Sequence, residues 1–357
     1  MTRHKRMFAV AAASLSLFAV TACSSADEVA SGGSDGESNY TYTSDQDGVT
    51  EMEGAKMSSE LGAVEASDDY RIAVVLKALT NQYWQGIQKG AQAAADDLGV
   101  DVTIQAASSE SAQTEQLTIA QTLLGQNFDG YVVAPESTSN LSPALKQMQA
   151  QGAPIVNVDD ARVPATVYVG PDHELDGSQA AAEFAQDFPN GAKVAQVEGQ
   201  AGSSAAILRI KGFKEGVKKA GNLDLVASVP GDWDADKAFA AAQQIIQQHP
   251  DVKGIYANND TMAIGVAKAV QASGKDIEVV GTDGVPEAVD AVRKGTMFAT
   301  VSPLPYWEGY WAVESVVRLL EGQELAPWIV APAQLITKKN VDDFYDKDGQ
   351  VLTDLFN

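Results

Sequence analysis

Short β-branched runs alternate regularly with alanine-rich amphipathic stretches from Tyr70 onward, and this alternation constrains the fold more than any other feature. Strand–helix alternation at this spacing favours parallel sheets covered by helices on both faces. The predicted strands are Ile72–Leu76, Val102–Gln105, Gly130–Ala134, Ile155–Val158, Val194–Val197, Leu223–Ser228, Gly254–Ala257 and Ile277–Gly281. The predicted helices are Gln85–Leu98, Ala112–Leu124, Leu141–Gln151, Ser178–Phe188, Ala205–Ala220, Ala235–Gln248, Met262–Ala272 and Glu287–Lys294. The fold class is therefore α/β.

A strand–helix–strand unit occurs twice in this region. One copy, GYVVAPESTSNLSPALKQMQAQGAPIVNVD, ends at Asp159, and the other, GIYANNDTMAIGVAKAVQASGKDIEVVGTD, ends at Asp283. Chance could supply the common length, since α/β units are stereotyped, but the matched terminal aspartates favour an internal duplication. With 357 residues the chain is long enough for two domains. The repeat predicts two lobes of the same architecture.

The N-terminus has the composition of an export signal. Arg3, Lys5 and Arg6 precede an apolar stretch that is too short to span a bilayer comfortably. The stretch ends in Val-Thr-Ala-Cys, which resembles the lipobox of bacterial lipoproteins, a family in which the cysteine is acylated. We therefore expect a lipoprotein signal peptide over 1–22 and lipidation, including palmitate, of Cys23. The alternative is an ordinary signal with a chance cysteine.

The segment that follows the signal differs from the rest of the chain. Residues 24–69 are rich in Ser, Gly, Asp and Glu, contain one basic residue, Lys56, and lack Trp and Phe. Such a composition cannot bury enough apolar area to fold. We expect 23–69 to be the lipidated cysteine followed by a disordered acidic linker, which would tether a globular part to a membrane.

Charge and residue usage exclude several classes of function. The net charge of −23 argues against nucleic acid and against binding anionic lipid by charge. Cys23 is the only cysteine, so the sequence holds no disulfide framework and no cysteine-based metal site. The three histidines have no metal-binding spacing, and no catalytic triad or phosphate-binding glycine loop is found. We expect no cofactor, no metal and no catalytic residue.

Polar and aromatic residues follow the predicted strands at their carboxyl ends. Ligands of open α/β sheets bind at this edge. The candidate ligand-binding residues are Lys77, Asn81, Tyr83, Trp84, Asp159, Asp160, Arg209, Trp233, Asn259 and Asp283.

These residue types match the chemistry of a sugar. Planar Asp, Asn and Arg ends can bond two neighbouring hydroxyls at once, and the tryptophans can cover the apolar C–H face of a ring. A site of this kind discriminates strongly against ligands that lack a hydroxyl, because its own buried polar groups would stay unpaired.

Each candidate also has a purely structural interpretation. Asn81 could cap the helix that follows it, and Tyr83 and Trp84 could pack beneath that helix. Lys77 could be a surface lysine, and Arg209 could lie on a solvated helix face. Asp160 is among the weakest candidates because loop acids are common, as is Asp260, another loop acid. Asp159 and Asp283 are the strongest, since each ends a central strand in one copy of the repeat.

At these residues the chain resembles the type I periplasmic sugar-binding proteins, the solute receptors of ABC importers. The stretches that carry the resemblance are AVVLKALTNQYW, VNVDDA, VEGQAGSSAAILRIKGF, LVASVPGDWD, YANNDTMAIGVAKAV and VVGTDGVPEA. Ribose-type and, above all, D-allose-type members are the most similar. The resemblance implies two lobes that close around a ligand: an N-terminal lobe of 70–172 plus 304–331, a C-terminal lobe of 173–303 plus 332–345, and a tail of 346–357.

The resemblance also implies roles for individual residues. Asp159 matches the family's ring-hydroxyl aspartate, Lys77 falls where allose-type members carry lysine, and Asp160 stands where those members have an acid and ribose-type members have arginine. Pro303 replaces a common glutamine of the family, which leaves the identity of the sugar open. The matches to the second-lobe residues of the family are Arg209, Trp233, Asn259 and Asp283.

The expected function is that of a substrate-binding lipoprotein of an ABC importer. It would be a lipid-anchored monomer outside the cytoplasmic membrane that binds a monosaccharide or polyol and delivers it to a permease in that membrane. One alternative is a receptor that presents its sugar to a signalling partner. Another is a glycosidase that uses Asp159 and Asp160, but adjacent strand residues point to opposite faces, which argues against a pair that flanks one bond.

Overall fold

The computed structural model describes residues 40–45 and 48–356. The predicted signal peptide and Cys23 lie outside these residues. The strands are β1 (Glu51–Glu53), β2 (Arg71–Ala78), β3 (Asp101–Ala107), β4 (Gly130–Val133), β5 (Ile155–Val158), β6 (Val167–Gly170), β7 (Ala192–Glu198), β8 (Leu223–Pro230), β9 (Val252–Ala257), β10 (Glu278–Thr282), β11 (Ala299–Ser302), β12 (Trp328–Val330) and β13 (Gln334–Thr337). The helices are α1 (Met57–Leu61), α2 (Gln82–Leu98), α3 (Gln113–Leu124), α4 (Ser142–Ala150), α5 (His173–Asp187), α6 (Ser204–Ala220), α7 (Ala235–Gln248), α8 (Asp260–Ser273), α9 (Pro286–Lys294), α10 (Pro305–Leu320) and α11 (Val341–Phe344).

The strands form two sheets with the same internal order. The first runs β1-β12-β6-β5-β4-β2-β3 and the second β13-β11-β10-β9-β7-β8. Neighbouring strands are parallel except for β11 and β13. Each sheet has a switch point, β2/β4 in the first and β7/β9 in the second, where connections leave in opposite directions and the carboxyl ends form a crevice. The predicted α/β fold with two lobes is confirmed, and the repeated units are β4–α4–β5 and β9–α8–β10.

Burial on both faces explains why the central strands are continuous apolar runs. Every residue of β4 and β5 is buried, as expected for parallel strands covered by helices on two sides. Residues of α10 are buried almost all round, including Glu308, Glu314 and Arg318, so this helix lacks the solvent-facing polar side of a surface helix. For this reason the sequence pattern did not predict it. The short strands β6, β11, β12 and β13 were also not predicted.

Glycines let the helices at the cleft cross at close range. A Cβ atom on Gly90 of α2 would lie 1.7 Å from the Tyr306 carbonyl oxygen, and one on Gly309 of α10 would lie 2.0 Å from that of Ile87. In the second lobe, a Cβ on Gly212 of α6 would lie 1.9 Å from the carbonyl oxygen of Glu174 in α5. These contacts exclude any side chain and fix the helices that carry the site residues.

The prediction of a disordered linker over 23–69 is wrong for its described part. Strand β1 pairs in parallel with β12, and the hydroxyl of Tyr40 donates to the carbonyl oxygen of Leu319 at 3.1 Å. Met57 is fully buried, and Gly54 lies so close to the Trp311 ring that a Cβ would be 2.4 Å from it. The average composition is polar, but a few apolar side chains and one strand edge are enough to dock the segment on the first lobe.

The C-terminal residues also pack on the first lobe. Phe356 lies 5.1 Å from the ring centre of Trp307 and 5.6 Å from that of Trp311. The Trp307 indole N–H donates to the carbonyl oxygen of Leu352 at 3.0 Å. The residues after β13 therefore return from the second sheet to α10. Among the described residues, no helix is both long and apolar enough to cross a bilayer.

We predict that Met57→Ala lowers the free energy of unfolding by about 2–5 kcal/mol, because it leaves a cavity beneath α10. Equilibrium denaturation with urea measures this change. Glu60→Ala, an exposed change in the same short helix, is the control and should have little effect. Equal stability of the Met57 variant and the parent protein would mean that the segment is not docked.

Candidate functional site

The predicted site residues lie together where the carboxyl ends of the two sheets face each other. Nine of the ten line one cavity, and the tenth, Lys77, lies just behind it against Asp160. The cavity has a volume of about 20 Å³, room for about one water molecule. A sugar ring can therefore enter only when the lobes part. The cavity is lined by Asn81, Tyr83, Trp84, Glu110, Asp159, Asp160, Ala205, Arg209, Trp233, Asn259 and Asp283.

The first turn of α2 brings an amide and two aromatic rings to the cavity. Asn81 caps the helix by accepting from the Tyr83 backbone N–H at 2.9 Å, and its amide also donates to Glu110 at 2.7 Å. The structural interpretation of Asn81 is thus correct, and the residue still lines the cavity. Tyr83 and Trp84 pack edge to face with ring centres 5.1 Å apart, and both are almost completely buried.

Three cavity residues have a strained backbone. Asp159, Trp233 and Asp283 have φ values of 60°, 62° and 131°, a region that residues other than glycine rarely adopt and that clusters at ligand sites. The backbone N–H of Asp159 donates to Val169 and that of Asp283 to Val301, both at 2.9 Å. The two aspartates therefore occupy equivalent places in the two lobes.

The turn at Asp159 also changes the expectation for its neighbour. Asp159 and Asp160 were expected on opposite faces, because strand residues alternate. Both line the same cavity, because β5 ends at Val158 and the positive φ of Asp159 interrupts the alternation. The argument from alternation was therefore wrong at this position.

Asp160 connects the two lobes. One carboxylate oxygen pairs with Lys77, which also lies 5.4 Å from the ring centre of Trp84. The other oxygen accepts from the Ser203 hydroxyl at 2.9 Å and from the Ala205 backbone N–H at 3.0 Å, at the start of α6 in the second lobe. A carboxylate at a helix N-terminus is favoured by the helix dipole. Burial opposes ionisation of Asp160, but Lys77 and the Ala205 backbone N–H outweigh it and lower its pKa to about 2.

Arg209 is the central cation of the second lobe. It is 3% exposed, so its interpretation as a solvated surface residue is wrong. Its guanidinium donates to Asp176 at 3.2 Å, to Asp283 at 3.3 Å and to the Asn258 carbonyl oxygen at 2.9 Å. Burial raises the pKa of Asp283 well above its usual value, although Arg209 opposes the shift. The carboxyl of Asp283 is therefore held where a ligand hydroxyl could share it with Arg209.

Trp233 and Asn259 complete the second-lobe wall. A Cβ on Gly199 would lie 2.1 Å from the Trp233 ring, so the ring lies flat on the backbone at the end of β7. Asn259 caps α8 by accepting from the Met262 backbone N–H at 2.9 Å. Among the described residues, no group of His, Cys, Asp or Glu could hold a metal ion.

Sequence reasoning missed four acidic or titratable residues around this site. Glu110 follows β3, so the strand-end rule could have found it. His173, Asp176 and Glu308 lie on helices, and only their contacts reveal them: His173 Nδ1 is 3.2 Å from Asp176, and the Tyr83 hydroxyl is 2.7 Å from Glu308. Asp176 and Glu308 are fully buried.

Comparisons with known proteins agree with this geometry. A family model described as the periplasmic binding protein domain matches residues 72–324. The D-allose-binding periplasmic protein of Escherichia coli K12 is 37% identical over 272 residues, which are 73% of this chain and 88% of that protein. The ribose import binding protein of Bacillus subtilis strain 168 is 32% identical over 273 residues, 76% of this chain and 88% of that protein.

A solved structure is similar as well. An ABC transporter periplasmic solute-binding protein from Actinobacillus succinogenes 130z, with bound D-allose, matches with a TM-score of 0.73 at 26% identity, covering 77% of this chain and 100% of that one. The relatives are transport binding proteins and not enzymes. They give the glycosidase alternative no support.

We predict that Asp160→Ala shifts the lobes toward an open arrangement, because it removes the carboxylate that joins Lys77 of the first lobe to the start of α6 in the second. Fluorescence energy transfer between dyes on Gln92→Cys in α2 and Lys218→Cys in α6 measures the distance. Asp232→Ala is the matched control, since Asp232 pairs with Lys237 inside the second lobe. An unchanged transfer efficiency in the Asp160 variant would show that this contact does not hold the lobes together.

Proposed function

This chain belongs to the periplasmic binding protein family, and from that premise we propose that it is the substrate-binding lipoprotein of an ABC importer. It binds a monosaccharide or polyol of the allose or ribose type between its lobes. It then presents the closed form to a permease in the cytoplasmic membrane. The working form is a monomer, because a single chain supplies both walls of the site.

The observation that carries the proposal is the convergence of both lobes on one cavity. Trp84 and Asp159 come from the first lobe, and Arg209, Trp233 and Asp283 come from the second. Aromatic rings stand on both sides of the cavity, with planar carboxylate, amide and guanidinium groups between them. A sugar has the same two kinds of surface, apolar C–H faces and a rim of hydroxyls that both donate and accept.

The relatives support the sugar class more narrowly. The relative from Escherichia coli is named a D-allose-binding protein, and the solved structure from Actinobacillus succinogenes contains bound D-allose. Lys77 and Asp160 pair with each other, and the resemblance implies a lysine and an acid at the same two places in allose-type members. Pro303 stands where the family commonly has glutamine, and it cannot bond a hydroxyl through its side chain. The hydroxyl contact that glutamine makes in the family is therefore missing or replaced here, which leaves the identity of the sugar open.

Closure of the lobes depends on the different contacts that the open and the closed form make. In the closed form the cavity is small, and Asp160 bonds Ser203 and Ala205 across the cleft. In the open form a sugar can enter and take over bonds on each side. A ligand shifts the equilibrium toward closure by as much as it binds the closed form more tightly than the open one.

The lipid anchor extends the proposal to Cys23, which lies outside the described residues. The lipobox-like Val-Thr-Ala-Cys supports this assignment, since the cysteine of bacterial lipoproteins becomes the mature N-terminus. Since Tyr40 is bonded to the first lobe, the span from Cys23 to the docked chain reaches at most about 60 Å when fully extended.

We predict that Cys23→Ser abolishes incorporation of labelled palmitate and moves the protein from the membrane fraction to the medium or periplasm. Gel fluorography of fractionated cells measures both effects. Ser24→Ala is the adjacent control and should leave both unchanged. A Cys23 variant that stays lipidated would overturn the anchor assignment.

We predict that a thermal-shift screen of pentoses, hexoses, polyols and inositols finds a ligand that stabilises the protein. A ligand at 100 times its dissociation constant adds about 2.7 kcal/mol to the free energy of unfolding. A panel with no stabilising ligand would count against sugar binding.

We predict that Asp283→Ala weakens binding of that ligand by about 2 kcal/mol or more, because Arg209 loses a buried partner. Asp290→Ala, which removes an exposed pair with Lys294, is the control.

A further inference from the structure

One tyrosine hydroxyl lies between two buried carboxyl groups beneath the cavity. Tyr83 Oη is 2.9 Å from Asp159 Oδ1 and 2.7 Å from Glu308 Oε2. Both distances are hydrogen-bonding distances, yet a tyrosine hydroxyl has one hydrogen to donate. If both acids were ionised, one of these short oxygen–oxygen contacts would hold no hydrogen and would face a buried negative charge.

The contact geometry requires a second hydrogen, and it has to come from one of the two acids. An ionised carboxylate only accepts, whereas a protonated carboxyl has one O–H to donate. All three side chains are almost completely buried, with 3% exposure for Tyr83, 4% for Asp159 and 0% for Glu308. In the closed form, neither bond is exposed to bulk solvent.

The surroundings place the proton on Glu308. Burial raises the pKa of Asp159 too, but three nearby groups oppose the rise and favour the ionised form: His173, whose Nε2 lies 3.7 Å from Asp159 Oδ1, Arg209 and Lys77. Glu308 has no ion-pair partner among the described residues, and its Oε1 has no hydrogen-bond partner there either. The charged groups that act on Glu308 are Asp159, Asp176 and Arg209, and burial together with the two aspartates raises its pKa well above the usual value.

We propose that the Glu308 carboxyl is protonated in the folded protein and donates to Tyr83 Oη, which commits the Tyr83 hydroxyl to donate to Asp159. The three groups form a hydrogen-bonded relay: Glu308 of α10 donates to Tyr83 of α2, and Tyr83 donates to Asp159 at the cavity. Glu308 is thus a positioning residue that acts on Asp159 through Tyr83.

The relay has a consequence for the ligand that rests on the proposed function. Asp159 Oδ1 is occupied by Tyr83, so Oδ2 is the oxygen left to accept a ligand hydroxyl. The relay also keeps Asp159 ionised as an acceptor and fixes its rotamer before a ligand arrives. The site would then select a hydroxyl that donates at this position.

The test uses no ligand, so it stands or fails separately from sugar binding. Unfolded Glu308 is ionised above about pH 4.3, whereas the folded group keeps its proton. Unfolding therefore releases a proton, and stability is lost as pH rises toward the folded pKa. Relative to Glu308→Gln, the unfolding equilibrium constant of the parent should rise about tenfold per pH unit between about pH 5.5 and pH 7.5.

Glu314→Gln is the matched control for this comparison. Glu314 is buried on the same helix, and burial raises its pKa, but its pair with Arg318 at 2.7 Å opposes the rise, so we expect it to be ionised in both states in the upper part of this pH range. There its difference from the parent should not change with pH. A constant difference between the parent and Glu308→Gln would overturn the proposal.

A second measurement needs no variant. In the parent protein labelled with ¹³C at the glutamate carboxyl carbons and assigned through bonds, the Glu308 resonance should stand at the protonated position at neutral pH. The Glu314 resonance should stand at the ionised position in the same spectrum. A Glu308 resonance at the ionised position would contradict the proposal even if Glu308→Gln does not fold.

Discussion

Buried charge at the meeting of two sheet edges is the constraint on which the rest of this structure depends. Lys77, Arg209, Asp159, Asp160 and Asp283 are all 5% exposed or less. A charge removed from water needs a partner and hydrogen bonds, or the fold loses several kcal/mol. Most of the partners lie on the same lobe, as Asp160 does for Lys77 and as Asp176 and Asp283 do for Arg209, but Asp160 also accepts from Ser203 and Ala205 of the opposite lobe. These bonds of Asp160 form only when the lobes meet, and a ligand with equivalent hydrogen-bonding groups can replace them when it stands between the lobes.

The two lobes meet this constraint with the same devices. The two sheets have the same strand order. Strand β5 of the first sheet and its counterpart β10 of the second are each followed by an aspartate with positive φ, Asp159 and Asp283. Close helix crossings at glycines, α2 with α10 and α5 with α6, fix the helices that carry Tyr83 and Arg209. Strain and close packing thus hold the polar groups in place before a ligand binds, which reduces the ordering that binding would require.

How much could be predicted from the sequence depended on whether a residue's role is local. Apolar runs and strand ends are local signals; they identified the α/β fold, and the ten residues chosen from them lie together at the cleft, although Glu110, which also lines the cavity, was missed. Glu308 was missed because its helix is buried almost all round, and the sequence does not show which of its two buried acids, Glu308 or Glu314, lies near the cleft. Average composition misjudged the segment after Tyr40, because its docking depends on single contacts such as Met57. The alternation rule failed at Asp160 because one positive φ at Asp159 turned the chain.

The central claim is that a sugar binds inside the closed cleft and contacts both lobes at once. A crystal structure with the ligand that stabilises the protein most tests this claim directly. The account predicts density for a single ring between Trp84 and Trp233, with hydroxyls within hydrogen-bonding distance of both Asp159 and Asp283. A ligand bound outside the cleft, or one that contacts a single lobe, would contradict it.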